Sequence, residues 1–258
     1  MVRTLYTAYT GMKNEQYRLD IISNNLANVS TAGYKEESVA NQSFDDVMAI
    51  KIRDVSEAWA DRPIGQMSLG VKIGEVYTDY KQGSVRETGN TFHLALEGKG
   101  FFALRVVNQN GEESIKYTRD GNFKMTNEGL IVDAYGNNLQ SESGNLQIPT
   151  EATEVSISPD GTVRADGVVI DNIVVRDFED YDYLNKYGDN MYETIEGAEE
   201  RETSALIMQG FIEQSNVNSV REMVEMINIT RAYEANQKVI QTTDSMLEQV
   251  TTSVGRVG

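Results

Sequence analysis

The sequence predicts an α+β protein: long N- and C-terminal helices form a coiled-coil-like layer, and a mainly antiparallel β domain lies between them. Three observations carry this. Apolar residues repeat on a seven-residue period at both ends of the 258-residue chain. Between the ends, Asn-Gly and Asp-Gly pairs recur among short alternating runs, which is the pattern of hairpins. Of the three prolines, none falls within residues 217–254, so nothing there interrupts a helix.

At the N-terminus, Leu5, Met12, Leu19 and Leu26 recur every seven residues, and Ala8, Ile22 and Val29 take the intervening positions, with Glu15 as the exception. The pattern stops between Asn28 and Gly33, where Gly33 can supply the positive φ of a reversal. Residues 36–85 read as an extended connecting segment. Within it "FDDVMAIKIRD" fits a helix or a strand, and "GVKIGEVYTDYKQGSV" fits extended chain bent at glycines. Residues 86–210 are the β domain. Asn110-Gly111, Asp120-Gly121, Asp160-Gly161 and Asp166-Gly167 mark its turns, and runs such as "EVSISP" and "GVVIDNIVVRD" its strands. The C-terminal helix begins near Ser219, which with Glu222 fits a capping box. Met226, Ile229, Tyr233, Ile240, Leu247 and Val250 then form one seam, interrupted by Asn236 and Thr243. Residues 1–35 and 211–258 thus make one discontinuous helical domain. Packing of both helices on the sheet is the alternative arrangement; sustained heptads favour pairing of the two termini with each other.

Composition narrows the function. The net charge of −17 argues against nucleic acid and against anionic membranes, both of which call for a basic surface. No apolar run of about 18 residues is present, so no membrane insertion is expected. The N-terminus lacks the pattern of a cleaved secretory signal. With no cysteine there are no disulfides or thiolate metal sites.

Candidate chemistry is sparse. Gly98, Gly100 and Ala103 have dinucleotide-loop spacing, but "FFALRVV" follows them and reads as a strand, where a pyrophosphate site requires a helix. The acidic stretch with Asp177, Glu179, Asp180, Asp182 and Asp189 does not match an EF-hand, and a solvated loop is the better reading. His93, the sole histidine, has no nucleophile pattern beside it. Tyr6, Tyr9 and Tyr17 are expected to pack beside the seam. The reading is a non-enzymatic protein with no cofactor and no metal.

Residues 19–35, "LDIISNNLANVSTAGYK", pose a separate question. From Ile21 to Tyr34 no side chain is charged, although 24% charge overall would place about three there. This stretch is similar to the N-terminal signature of the bacterial flagellar rod and hook proteins. "SNVNSVREMVEMINITRAYEANQKVIQTTDSML" resembles their C-terminal signature, nearest the distal-rod type. "GNTFHLALEGKGFFAL" and "YTRDGNFKMTNEGLIVDAYGN" resemble the family's central domain, so the likeness runs in order over most of the chain. Positions of the family type are Leu19, Ser23, Asn24, Asn25, Leu26, Ala27, Asn28, Gly33 and Tyr34 in front. Behind they are Ser215, Asn216, Val217, Arg231, Ala232, Tyr233 and Glu234.

The resemblance implies a distal-rod subunit of the flagellar basal body that self-assembles into a hollow helical tube, transmits torque and encloses the export channel. Proximal-rod or hook-like subunits are the alternative within the family, and a secreted β-domain adhesin or carbohydrate-binding module with helical flanks the alternative outside it. Implied partners are further copies of the chain, other rod and hook subunits and the flagellar export apparatus. The implied location is extracytoplasmic, reached without a cleaved signal peptide. The expected assembly interface comprises Leu5, Met12, Leu19, Ile22, Asn24, Asn25, Leu26 and Asn28 in front. Behind, it comprises Met226, Ile229, Tyr233, Asn236, Ile240, Leu247 and Val250. The asparagines would supply uncharged donors and acceptors to neighbouring subunits, or merely cap and loosen the helix end.

Overall fold

The computed structural model describes residues 2–44, 47–50, 63–68, 70–107, 111–201 and 203–255. It is α+β, with one helix at each end and antiparallel strands between. The chain divides into two compact units. A helical unit draws on Met1–Ala27, Glu37–Asp79 and Asn218–Gly258, and a β unit on Asn28–Glu36 and Tyr80–Val217. The five residues of the connecting stretch "FDDVMAIKIRD" that are described comprise Phe44 and the strand Val47–Ile50; the rest of that reading lies outside the described residues.

In the helical unit, α1 (Val2–Ala27) packs along α2 (Ser219–Gly255) and against the strand Val71–Asp79. That strand pairs with Glu36–Ser43, and Val47–Ile50 pairs antiparallel with Pro63–Met67. The start of α2 differs from the capping-box reading. Asn218 is the cap: its Oδ1 accepts the Val220 and Arg221 amides, each at 3.1 Å. Glu222 does not reach back to the cap, because its carboxylate is buried against Asn25 of α1.

The β unit is built on the strand Phe101–Val107, which pairs with Glu113–Thr118, Asn138–Ser141 and Val175–Phe178. Its side chains alternate faces, as strand geometry requires. Phe102, Leu104 and Val106 enter one apolar cluster with Leu94, Phe123 and Leu139, while Phe101 and Ala103 enter a second with Phe178 and Tyr192. Burial on both faces is why "FFALRVV" reads as a continuous apolar run. A three-stranded meander, Val155–Ile157, Thr162–Ala165 and Val168–Asn172, closes over the first cluster. Its second turn is Asp166-Gly167, with φ of +49° and +82°, the two positive values that a tight two-residue hairpin demands.

Candidate functional site

In α1, alternating three- and four-residue steps bury a second stripe beside the heptad seam. Asn14 and Asn25 on this stripe are buried, and Gly11, Arg18 and Ile21 are half-buried. Asn14 donates to Asn41 Oδ1 at 3.1 Å. Asn25 makes a double contact with one residue of the extended segment: Nδ2 donates to the Glu37 carbonyl at 2.8 Å, and Oδ1 accepts the Glu37 amide at 3.1 Å. The same Nδ2 also lies 3.2 Å from Glu222 Oε2. An amide, unlike a hydroxyl, carries the donor and the acceptor on two separate atoms, as this two-point contact needs.

The two helices run antiparallel. Asn25 meets Glu222, Arg18 Nη2 donates to Glu225 at 2.6 Å, and Gly11 lies against Asn236, whose Nδ2 would be 3.1 Å from a Cβ there. Ile22 and Ile229 are buried at their contact, with Met12, Leu19, Leu26, Met226, Tyr233, Asn236, Ile240 and Leu247 half-buried along the seam. Leu5 and Val250 are exposed at 36% and 44%. Asn24 is exposed, and half-buried Asn28 accepts the Thr31 hydroxyl at 3.0 Å. Asn14 and Glu222 were not marked as interior groups from the sequence, although the seven-residue spacing of Gly11, Arg18 and Asn25, with Asn14 and Ile21 between them, was there to find.

The tyrosines are a correction. Tyr6, Tyr9 and Tyr17 do not pack beside the seam; they are exposed at 52%, 53% and 38%. Among the described residues, α1 packs on α2 and on the strand Val71–Asp79, and these tyrosines lie off both contacts. On α2, Val220, Met223, Val224 and Ile227 form a second exposed apolar stripe with i, i+3, i+4, i+7 spacing.

The second half of the "LDIISNNLANVSTAGYK" stretch belongs to the β unit. Gly33 has φ +68°, its amide donates to the Glu213 carbonyl at 2.8 Å, and a Cβ there would stand 2.3 Å from the Arg119 carbonyl carbon. Asn190 donates to the Ala32 carbonyl at 2.6 Å, and Lys186 lies over the Tyr34 ring. Lys35 Nζ, fully buried, contacts Glu213 Oε1 at 2.5 Å and the Lys81 carbonyl at 2.7 Å. Glu213 Oε2 accepts from Arg119 at 3.2 Å.

The remaining candidates for chemistry are tied into structure. His93 bonds through Nδ1 to the Thr88 hydroxyl at 2.8 Å and lies 3.2 Å from the Asn90 amide through Nε2; partial burial holds its pKa below the usual histidine value. Gly98 and Gly100 lead into the strand Phe101–Val107. Asp177 accepts the Tyr181 hydroxyl at 2.7 Å and pairs with Arg201.

Three family descriptions match, in chain order. "Flagella basal body rod protein" covers residues 5–35, "Flagellar hook protein FlgE/F/G D1 domain" residues 95–165, and "Flagellar basal body rod FlgEFG protein C-terminal" residues 208–253. The chain is 35% identical to the flagellar basal-body rod protein FlgG of Bacillus subtilis over 97% of this chain and 98% of that one. The chain belongs to the flagellar basal-body rod proteins. FlgG of Caulobacter vibrioides is 33% identical over 96% of this chain and 97% of its own. FlgF of the same organism is 31% identical over the whole of both. The likeness is to the FlgG type of rod protein, and the family is structural. As matched, the rod signature of residues 5–35 covers α1 together with the segment that enters the β unit.

Proposed function

We propose that this rod protein is a distal-rod subunit whose α1 and α2 line the inside of a hollow helical tube. The tube encloses the export channel and carries torque. The observation that supports this best is the amphipathic character of the helix pair on both sides. After α1 and α2 have buried their seam, Tyr6, Tyr9 and Tyr17 on one helix and Val220, Met223, Val224 and Ile227 on the other are still exposed. Apolar side chains in helical register on an outer face fit contact with further helices. In a tube those helices belong to other copies of the chain. Charge agrees: of the net −17, −13 falls on the residues of the β unit, which leaves the helical unit nearer neutral and suited to close repetition.

Leu5, Met12, Leu19, Ile22, Leu26, Met226, Ile229, Tyr233, Asn236, Ile240, Leu247 and Val250 then serve twice, first holding the helix pair and then, at their exposed edges, meeting neighbours. Asn24 and Asn28 are the asparagines placed for subunit contact. The other partners in this reading are rod and hook subunits above and below and the export apparatus that delivers the chain. In this reading the tube is extracytoplasmic, within the basal body. Electron microscopy of the purified full chain at high concentration tests the reading. Tubes with a central channel are expected; a folded protein that stays monomeric at every concentration and salt would count against it.

A further inference from the structure

Two stretches of the β unit lead to the helical segments of the chain: residues 28–36, which follow α1, and residues 213–217, which precede α2. Both converge on one carboxylate. Glu213 is wholly buried and is met by two buried cations, Lys35 on Oε1 at 2.5 Å and Arg119 on Oε2 at 3.2 Å. The Gly83 amide adds a third donor at 2.8 Å. Lys35 also donates to the Lys81 carbonyl, and Arg119 to the Gly98 carbonyl at 2.7 Å, with its guanidinium 5.5 Å from the centre of the Phe101 ring. Backbone contacts reinforce the junction: Gly33 donates to the Glu213 carbonyl, and the Glu36 amide to Asn216 Oδ1 at 2.7 Å.

A buried group of this kind is a poor way to gain stability, since removing three charges from water costs about what their attraction returns. What it supplies is geometry. A lysine, an arginine and a glutamate in low dielectric pair their charges in a single arrangement, here through Arg119 Nη1 and Nη2 with Nε left without a hydrogen-bond partner, and a slipped register leaves a charge unpaired. We propose that Lys35, Glu213 and Arg119 form a clamp that holds the two connectors side by side at a fixed spacing, and that assembly depends on this spacing. The link to assembly rests on the rod reading above; the clamp itself does not.

Among the described contacts the cluster holds two cations and one anion, which singles out Lys35→Met as the informative variant. It leaves the Glu213–Arg119 pair charge-balanced, so the β unit should still fold. Glu213→Leu would instead strand two buried cations. Amide hydrogen exchange on the full-length Lys35→Met protein should show the Gly33 and Glu36 amides exchanging at least about tenfold faster, while the Phe101–Val107 strand keeps its protection. Polymer yield should fall by a similar factor, roughly tenfold, if subunits meet only with the connectors fixed. Unchanged exchange at Gly33 and Glu36 overturns the clamp. So does loss of the whole β unit's protection, which would make Lys35 an ordinary core group. Faster exchange with normal assembly keeps the clamp but removes its role in assembly. Wild-type protein that forms no tubes speaks against the rod reading alone and leaves the exchange test standing.

Discussion

At residue scale the uncharged stretch from Ile21 to Tyr34 finds an explanation in two parts. Its first part, Ile21 to Ala27, lies on α1, where Asn25 holds the Glu37 backbone by both its amide and its carbonyl and also touches Glu222. Its second part, Asn28 to Tyr34, runs into the β unit, where Gly33 and Tyr34 are buried. Charge was legible as missing; the partner of Asn25 was not, because a contact across twelve residues to an extended segment has no periodic signal. Asn25→Asp keeps the shape but loses the donor to Glu37 and sets a carboxylate against Glu222. Losing the hydrogen bond to the Glu37 carbonyl and adding a like-charge contact with buried Glu222 should cost about 2–4 kcal/mol, read as a lower melting temperature of the helical unit. A variant as stable as the parent would show the contact to be incidental. Asp120 gives a pH-dependent test in the β unit. Burial raises its pKa from 3.8 to about 6, with Asp133 adding to the rise, against the pull of its hydrogen bonds from Asn122 and Asn190. Between those values the folded chain binds more protons than the unfolded one, so this group's contribution makes stability fall as pH rises from about 4 to about 6 and stay lowered above that. Asp120→Asn retains an acceptor for the Asn122 amide and removes the penalty, so it should stabilise the β unit by up to about 3 kcal/mol at pH 7 and by almost nothing at pH 4. Urea melts of both proteins across that range decide it; a difference that does not vary with pH rules the assignment out.

At the scale of elements, the heptads forecast the helix pair well. Ile22 and Ile229 are buried on its seam, and Thr243, read only as a polar interruption, is buried with its hydroxyl satisfied by the Val239 carbonyl at 2.8 Å. Periodicity reports which side chains share a face, but not how many partners that helix has. The spacing of Gly11, Asn14, Arg18, Ile21 and Asn25 marks a shared face of α1, but it does not say that the chain's own extended segment covers that face, nor that Tyr6, Tyr9 and Tyr17 are left exposed. A pair of substitutions separates the faces. Leu26→Asp puts a carboxylate on the half-buried seam, at a cost of about 2–3 kcal/mol repeated in every subunit of a polymer. Asn24→Asp puts the same charge on the exposed face. Tube formation is measured beside the melting temperature of the β unit, which neither change should move. Leu26→Asp should abolish tubes, and normal assembly by that variant would refute the role of the seam. If Asn24→Asp also abolishes them, the Asn24 face meets a neighbour; if it assembles normally, that face is not a subunit contact.

At the scale of the whole molecule, the fold class and the order of its parts were legible, since turn pairs and heptads are local signals. What was not legible is that a short piece of the N-terminal signature, residues 28–36, is built into the β unit. Its attachment depends on groups far away in sequence: Arg119, Asn190 and Glu213, each an unremarkable polar residue until the chain folds. The consequence can be tested on fragments. Residues 80–217 alone lack Lys35 and Gly33, leaving Glu213 with Arg119 but without its lysine, and Asn190 without the Ala32 carbonyl. A second fragment joins residues 28–36 to residues 80–217 through a short Gly/Ser linker. Lys35 contacts the Lys81 carbonyl at 2.7 Å, so the ends to be joined are close, and about six linker residues, spanning roughly 13 Å, suffice. The linked fragment should unfold in one cooperative transition. The fragment without residues 28–36 should be weaker by about 3 kcal/mol, the usual scale for removing one partner of a buried ion pair, which for a chain of this size lowers the midpoint by roughly 6–12 °C. Adding a peptide of residues 28–36 in trans should raise that midpoint with peptide concentration, as any ligand of the native state does. Equal midpoints for the two fragments would mean that residues 28–36 only lie on the β unit and contribute nothing to it. A large difference, partly recovered by the peptide, would establish that the rod signature supplies part of the β unit's interior as well as its first helix.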